Sequence, residues 1–315
     1  ITVERVSLIP VEMPLRPDHD ENFLRNTPGL YPDLLEPIDI IPPNGMVAFP
    51  DQWRALWITV RGKTDLNPGR YPITIELKAG DGTLLSSDTF NLDVLSPMLP
   101  PQKLVHTEWL HTDCIATWYK FEVFSEEYWD MVEKYVKTAV DYGVNMLLTP
   151  IFTPPLDTLI GGERPTVQLV KVTKNGETYS FDFTKLERWI EMCQRCGIQY
   201  FEFAHLFTQW GARHAPKVMA WENGELKKIF GWETDAHSPE YTGFLDQFLP
   251  ALVEFVKEKG IADRCHFHVS DEPYMYDLEP YRLASDMMKK HLKGFPIMDA
   301  LSNYEFYETG LVENP

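Results

Sequence analysis

The sequence predicts two fold classes in one chain: an all-β front unit of the immunoglobulin-like sandwich type, then a (β/α) barrel of the TIM type that looks incomplete at its carboxyl end. Three observations predict this. Up to residue 97, apolar side chains alternate with polar ones between turn dipeptides. From residue 103 onward, short apolar strands take turns with capped helical stretches. In that second part, the residues able to do chemistry gather just after the strands, where barrel enzymes keep their sites. The expected division is therefore a β-sandwich over 1–97, a linker over 98–102 and a catalytic (β/α) barrel over 103–315.

In the front unit, Tyr71, Ile73, Ile75 and Leu77 alternate with Pro72, Thr74, Glu76 and Lys78, the pattern of a half-buried strand. Asp81-Gly82 supplies a hairpin turn, and Phe90, Leu92 and Val94 carry the alternation into the partner strand. Trp53 to Val60 makes another strand, with Asn67-Pro68-Gly69 as the turn between. About five strands can be found where an immunoglobulin-type sandwich has about seven, so the unit is expected to lack part of its amino end. No polar constellation stands out in it. An accessory packing role is the expectation, and a carbohydrate-binding role rests only on fold precedent. The prolines of Ser96-Pro97-Met98-Leu99-Pro100-Pro101 stiffen the connection that follows.

The second part opens with a strand from Leu104 to Trp109. Ser125 then caps a helix with Glu126 and Glu127 in its first turn, and Gly143 stops it. Asn145 to Ile151 is the next strand. After it, Thr166 to Val172 and Thr178 to Phe183 form a hairpin around Asn175-Gly176. Thr184 and Glu187 have the spacing of a capping box for the second helix, which Gly197 closes. Gln199 to Ala204 is the third strand, followed by a long connection rich in Trp, His and Gly. Ser238 with Pro239 at the first helical position starts the third helix, which runs to Gly260. Cys265 opens the fourth strand, a helix covers about Leu278 to Lys293, and Phe295 to Ala300 is the fifth strand. Right-handed βα units of this kind build a parallel sheet. About five of the eight units of a closed barrel are present, which predicts a fragment.

The fourth strand is the organising one. In Cys265-His266-Phe267-His268-Val269-Ser270, an apolar face alternates with a polar one, and the strand ends on Asp271-Glu272-Pro273. Proline has no N–H and cannot extend the ladder, so the two acids sit at the strand's mouth. By itself, Asp-Glu-Pro is an ordinary surface turn. A buried strand delivering both carboxyls to one place makes them catalytic candidates. Because neighbouring side chains on a strand point to opposite faces, both can reach one site only if the backbone bends between Ser270 and Pro273.

The other candidates follow their own strands: His111 and Asp113 the first, His205, Gln209 and Trp210 the third, Asp299 with Ser302 and Asn303 the fifth. Each alone reads as a solvated loop residue. Their common location is what points to a site. Trp210 and Trp221 either pack against the barrel or offer a flat ring to a ligand, and a ring beside carboxylates suits a sugar.

Composition narrows the partners. The 315 residues, 44% hydrophobic and 13% aromatic, are enough for real cores. A formal charge of −18, from 29 basic and 47 acidic residues, argues against nucleic acid and against anionic membranes. No apolar run approaches the ~18 residues of a membrane span. The opening Ile-Thr-Val-Glu-Arg-Val lacks a signal-peptide pattern, although an export signal trimmed from the chain stays possible because the initiator Met is absent. Cys114, Cys193, Cys196 and Cys265 are few and lie in or beside regular elements, which leans toward a reduced, cytoplasmic setting. Cys193-x-x-Cys196 reads as two core thiols rather than a redox or zinc pair. His266-x-His268 has a metal-like spacing, but interior histidines satisfied by hydrogen bonds are commoner, so neither metal nor other cofactor is expected.

His111-Thr112-Asp113-Cys114, Phe207-Thr208-Gln209-Trp210-Gly211-Ala212 and His268 to Pro273 together resemble glycoside hydrolase family 123 and the related proteins carrying domain of unknown function 4091. The resemblance covers about Pro101 onward. It implies an exo-acting β-N-acetylgalactosaminidase, or an enzyme for another 2-acetamido hexose, working by substrate-assisted hydrolysis with retention. In that mechanism the 2-acetamido oxygen attacks the anomeric carbon, Asp271 orients and polarises the acetamido N–H, and Glu272 protonates the leaving oxygen and later activates water. His111, Asp113, His205, Gln209, Trp210 and Asp299 would hold the sugar. The competing readings are a non-catalytic carbohydrate-binding protein and a two-carboxylate retaining glycosidase with its nucleophile on a later strand.

Overall fold

The computed structural model describes residues 1–13, 21–39, 46–47, 49–62, 66–156 and 158–312. They form two compact units, Ile1–Pro101 and Gln102–Pro315.

In the first unit β1 (Thr2–Val11), β2 (Gly29–Pro37) and β3 (Leu56–Thr59) make an antiparallel sheet in the order β2-β1-β3. A separate antiparallel pair is formed by β4 (Gly69–Lys78) and β5 (Leu84–Val94). Their turn is the Asp81-Gly82 one: Gly82 has φ 87°, and the Asp81 carboxylate accepts the Thr83 N–H at 2.9 Å. Tyr71, Ile73 and Ile75 turn to the less exposed side of β4, as the alternation predicts. None of the described residues of this unit is fully buried. Among the described residues it is two antiparallel sheets of three and two strands.

The second unit is a mixed α/β fold. Its strands and helices are β6 (Thr107–Glu108), α1 (Thr112–Tyr119), α2 (Glu126–Asp141), β7 (Met146–Thr149), β8 (Lys171–Asn175), β9 (Thr178–Asp182), α3 (Thr184–Cys196), β10 (Tyr200–Phe203), β11 (Val218–Glu222), β12 (Glu225–Phe230), α4 (Pro239–Glu258), β13 (Cys265–His266), α5 (Leu278–His291) and α6 (Glu305–Glu308). A parallel sheet runs β13-β10-β7-β6, with Phe201 opposite both Leu147 and Cys265. A parallel bridge from Phe267 to Ile297 adds the expected fifth segment on the β13 side. Among the described residues the two edges of this sheet do not pair, so it is open rather than a closed barrel.

The long connections after β7 and β10 build a second sheet, β12-β11-β8-β9, in which β11 runs parallel to β8. The hairpin turn at Asn175-Gly176 is where the sequence puts it, with Gly176 at φ 63°, but its first strand starts at Lys171 rather than Thr166. The β11–β12 hairpin turns at Asn223-Gly224, both left-handed, the same dipeptide chemistry.

Helix caps follow the side chains. Ser125 accepts the Tyr128 N–H at 3.2 Å and Ser238 the Tyr241 N–H at 3.3 Å. The expected Thr184/Glu187 capping box is not formed: Thr184 already lies inside α3, and Asp182 accepts both its N–H, at 2.9 Å, and its hydroxyl, at 2.6 Å. A carboxylate two residues upstream displaced the hydroxyl as the cap. Helix α1 is also an addition, since the residues after β6 were expected as loop.

These helices bury their apolar stripes against the sheet. Trp129, Val132 and Val136 of α2, Leu186, Trp189 and Ile190 of α3, and Phe244, Phe248 and Leu252 of α4 are all buried in one cluster with Leu147, Phe201 and Phe267. Cys193 and Cys265 are buried and all four thiols are free. Among the described residues no helix is long and apolar enough to cross a membrane.

Candidate active site

The strand that begins at Cys265 is buried on both faces. Cys265, Phe267 and Val269 enter the core, and His268 and Ser270 are equally enclosed. Beyond its last pair the backbone bends: Glu272 has φ 43°, in the left-handed region that a residue with a side chain seldom adopts. This is the bend that two adjacent acids require in order to leave the strict alternation of a strand. Asp271 is half-buried and Glu272 exposed. Two backbone bonds pin the bend, from the Trp210 N–H to the Asp271 carbonyl at 2.9 Å and from the Glu272 N–H to the Ala300 carbonyl at 3.1 Å.

The loops at the carboxyl ends of successive strands are joined to one another. Asp113, in the first turn of α1, pairs with Arg164 at 3.1 Å from the connection after β7. In that connection the Thr158 carbonyl accepts from the Gln209 amide at 3.0 Å. Gln209 is buried, and its neighbour Trp210 is the residue bonded to Asp271. Asp113, Gln209, Trp210 and the acid pair thus share one end of the parallel sheet. Asp113 and Gln209 spend hydrogen-bonding capacity on the protein itself. Trp210 leaves 38% of its surface exposed. His111, the residue that precedes α1, is half-buried and in extended conformation.

Trp210, Gly211 and Ala212 all have positive φ, at 60°, 114° and 56°, so three consecutive left-handed residues fold this loop back on the strand end. Gly211 is required there because a Cβ would lie 2.3 Å from Cγ of Asp277. Asp277 is itself buried and held by Arg213 at 2.8 Å. Trp221, the other ring singled out in the sequence, lies on β11 and lines a groove of about 390 Å³ with Phe124, Lys185 and Gln168. A cavity of about 770 Å³ lies elsewhere, between the β8–β9 hairpin and the start of α4, and does not include the acid pair.

Beneath the acid pair sits a polar cluster that the sequence showed only in part. His205, His268, Glu202 and Asp299 are all at most 3% exposed. His268 points Nδ1 at Asp299, 3.0 Å away, and Nε2 at Glu202, 2.5 Å away. A carboxylate facing each nitrogen favours the doubly protonated ring, in which both nitrogens donate. Burial opposes that charge, but the bonds to Asp299 and Glu202 outweigh it and raise the pKa to about 9. Glu202 also accepts from Trp109 Nε1 at 2.6 Å and from the Thr107 hydroxyl. Burial would raise the Glu202 pKa; His268, Thr107 and Trp109 together lower it instead. Burial pushes Asp299 up. Asp299 nevertheless receives His268, the Tyr281 hydroxyl at 2.5 Å and the Val269 N–H at 3.1 Å, a donor set that suits an anion.

His205 stacks on His268 with ring centroids 4.1 Å apart and planes 19° from parallel. Burial, then the neighbouring His268 charge, hold its pKa well below the ordinary value, so it is the neutral member of the pair. Neither ring nitrogen of His205 has a hydrogen-bond partner among the described residues. His205, His268 and Asp299 have ligand atoms within 4.8 Å of one another, a spacing a metal ion could bridge. The stacking opposes it. An imidazole binds a metal in its ring plane at about 2.0–2.1 Å, and two rings stacked face to face, with centroids 4.1 Å apart and planes only 19° from parallel, do not direct their in-plane lone pairs at one such point. Both nitrogens of His268 are in addition already used. The donor set fits a hydrogen-bonded charge cluster and not a metal centre.

Residues 109–315 match the family model for the catalytic domain of glycoside hydrolase 123. The chain belongs to glycoside hydrolase family 123. Among solved structures, it is similar to a family 123 glycoside hydrolase from Clostridium perfringens, analysed for glycolipid glycan hydrolysis, with a TM-score of 0.70 and 17% identity. The match covers 99% of this chain and 53% of that one, so the chain spans about half the length of the solved relative. At that identity the likeness concerns fold. No curated protein matches the sequence. The family 123 match begins at Trp109, within the second unit, and includes both Asp271 and Glu272.

Proposed function

We propose that this chain carries the acid pair of a retaining glycosidase that removes terminal β-linked N-acetylgalactosamine, or another 2-acetamido hexose, by substrate-assisted hydrolysis. The observation that carries the reading is the left-handed turn at Glu272, which frees Asp271 and Glu272 from strict opposition at the end of a parallel strand of the family 123 domain. The acetamido oxygen of the substrate is the nucleophile, so one carboxylate need not attack carbon. Asp271, half-buried, orients the acetamido N–H and stabilises the positive charge that develops as the oxygen closes on the anomeric carbon. Glu272, exposed at the mouth, gives its proton to the departing oxygen and takes one from water in the second step.

Trp210 is the sugar platform in this reading, since it is a partly exposed aromatic whose backbone is tied to Asp271. His111 remains a sugar contact. Asp113 and Gln209 shape the pocket from behind, because their polar groups already bind Arg164 and Thr158. The open parallel sheet is read as part of a (β/α) barrel, and the first unit as an accessory sandwich of immunoglobulin-like type over residues 1–97. Glycolipid glycans, the substrates named for the similar Clostridium perfringens enzyme, are the first natural substrates to test.

The test is a panel of aryl glycosides, with and without the 2-acetamido group, offered to the full-length protein. Turnover confined to the 2-acetamido sugars is expected. Equal turnover of a 2-hydroxy sugar excludes attack by the acetamido oxygen and overturns the mechanism.

A further inference from the structure

We propose that Asp299, His268 and Glu202 form a buried clamp that holds the main chain directly under Asp271 and Glu272, which makes Asp299 and His268 positioning residues and not sugar ligands. The proposal rests on the glycosidase reading for its link to catalysis, and on geometry alone for the clamp.

The strand needs such a device because its pairing runs out early. β13 pairs with β10 only at Cys265 and His266, and its last bridge on the other side is Phe267 with Ile297. The N–H groups of Val269 and Ser270 come after these pairs, in the core, where an unpaired amide is costly. The Asp299 carboxylate takes both, Val269 at 3.1 Å and Ser270 at 3.4 Å. A side chain here does the work of a neighbouring strand. The next residue is Asp271.

Asp299 can hold the chain only if it is held itself. Tyr281 of α5 donates to it at 2.5 Å and His268 at 3.0 Å. His268 is anchored in turn on Glu202 of β10, and Glu202 on Trp109 and Thr107 beside β6. One line of hydrogen bonds therefore crosses from β6 through β10 to the strand end. The groups facing the His268 ring are Glu202 and Asp299 at its two nitrogens, His205 on its face and Trp109 in a T-shaped contact with ring centroids 6.3 Å apart, with His266 two residues back in sequence. Two carboxylates and one imidazolium leave the cluster one negative charge, balanced by neutral donors. Remove the imidazolium and two buried carboxylates face each other with nothing between. From the other side, the Ser270 hydroxyl donates to the Thr208 carbonyl at 2.9 Å, so Ser270 is gripped at both its amide and its side chain. The left-handed φ of Glu272 persists only where the surroundings over-determine it, and these contacts are the surroundings.

The experiment uses the full-length protein and the variants Asp299→Asn, His268→Gln and Tyr281→Phe, the last removing a single hydroxyl should the first two fold poorly. Amide exchange of Val269 and Ser270 reads the clamp, ¹⁵N-histidine NMR reads the protonation of His268, and kinetics on an aryl 2-acetamido glycoside read its consequence. Expected are a doubly protonated His268 at pH 7, faster exchange of both amides in Asp299→Asn, and a kcat lower by roughly 10²-fold with KM within about twofold, because a displaced acid pair loses alignment and not sugar affinity. Tyr281→Phe should show smaller shifts in the same direction. Unchanged exchange in Asp299→Asn overturns the clamp whatever the activity. A raised KM with kcat retained makes Asp299 a sugar ligand and also overturns it. If the wild-type protein turns over no glycoside while Asp299→Asn still loses amide protection, the glycosidase reading fails and the clamp stands.

Discussion

The N–H of Trp210 is bonded to the carbonyl of Asp271 at 2.9 Å, so the main chain of the candidate sugar platform is tied directly to that of the candidate catalytic carboxylate. A change in either loop is felt by the other. Gly211 is the sensitive point, with φ 114° and no room for a Cβ beside Asp277. Gly211→Ala is expected to cost about 1–3 kcal/mol from backbone conformation, with more from the clash, read as a lower urea midpoint. Loss of Trp210 fluorescence sensitivity to sugar should accompany it. A variant as stable as wild type would show that the loop repacks freely.

Asp113 gives a second prediction. Its salt bridge to Arg164 is enclosed, with the two side chains 7% and 11% exposed. Arg164→Met leaves a buried carboxylate without its counter-charge, and a loss of about 3–5 kcal/mol is expected. The double variant with Asp113→Asn should recover a good part of it, in a denaturation series. A single-variant loss below about 1 kcal/mol would place the pair among ordinary surface bridges.

Glu272→Gln separates acid catalysis from the rest. The variant should keep much of its activity on nitrophenyl glycosides, whose leaving group needs no proton, and lose about 10²-fold or more on substrates with poor leaving groups. Asp271→Asn should lose at least about 10²-fold on both, since it acts on the developing charge at the sugar. Equal losses for both variants on both substrates would contradict the division of roles.

The two stacked histidines set a pH dependence of stability. His268 has its folded pKa raised to about 9 from 6.5, so its contribution is fully present below about 6.5 and is lost as pH climbs through 9. That contribution is on the order of 3 kcal/mol for the buried ring. His205 has its folded pKa lowered, so the unfolded chain binds the extra proton and stability is lost as pH falls below about 6.5. Stability should therefore peak near pH 6.5 and fall on either side, with the alkaline limb running from there to about pH 9 and vanishing in His268→Gln. Chemical denaturation at a series of pH values checks both limbs. An alkaline limb unchanged in His268→Gln would assign it to another group.

Local signals in the sequence were read where local chemistry decides the outcome. Ser125, Ser238, Gly197 and Asn175-Gly176 do what their residue types dictate, and the chain that continues beyond β13 turns at Glu272, within the pair of adjacent acids. Two further local signals stand in the sequence. Asn223-Gly224 is the same hairpin dipeptide as Asn175-Gly176, and Glu202 stands between Phe201 and Phe203 in an otherwise apolar strand. A lone carboxylate in such a place must find donors, which is a reason to look for a buried partner. What the sequence could not show is which partners. Asp299 and His268 are 31 residues apart and Glu202 and His268 are 66 apart, and only the sheet order brings them into contact. For the same reason Asp113 looked like a free sugar-binding acid, because its partner Arg164 is supplied by another loop.

The left-handed backbone at Glu272 has an implication for how this domain can be engineered. Asparagine and glycine tolerate that conformation better than glutamate does, so the residue best suited to proton transfer is not the one best suited to the backbone at position 272. Replacing Glu272 with either should give a protein that melts later while it loses its acid. Selection for thermal robustness alone would therefore drive this position away from the chemistry proposed for it, and a stabilised scaffold has to be sought elsewhere in the domain.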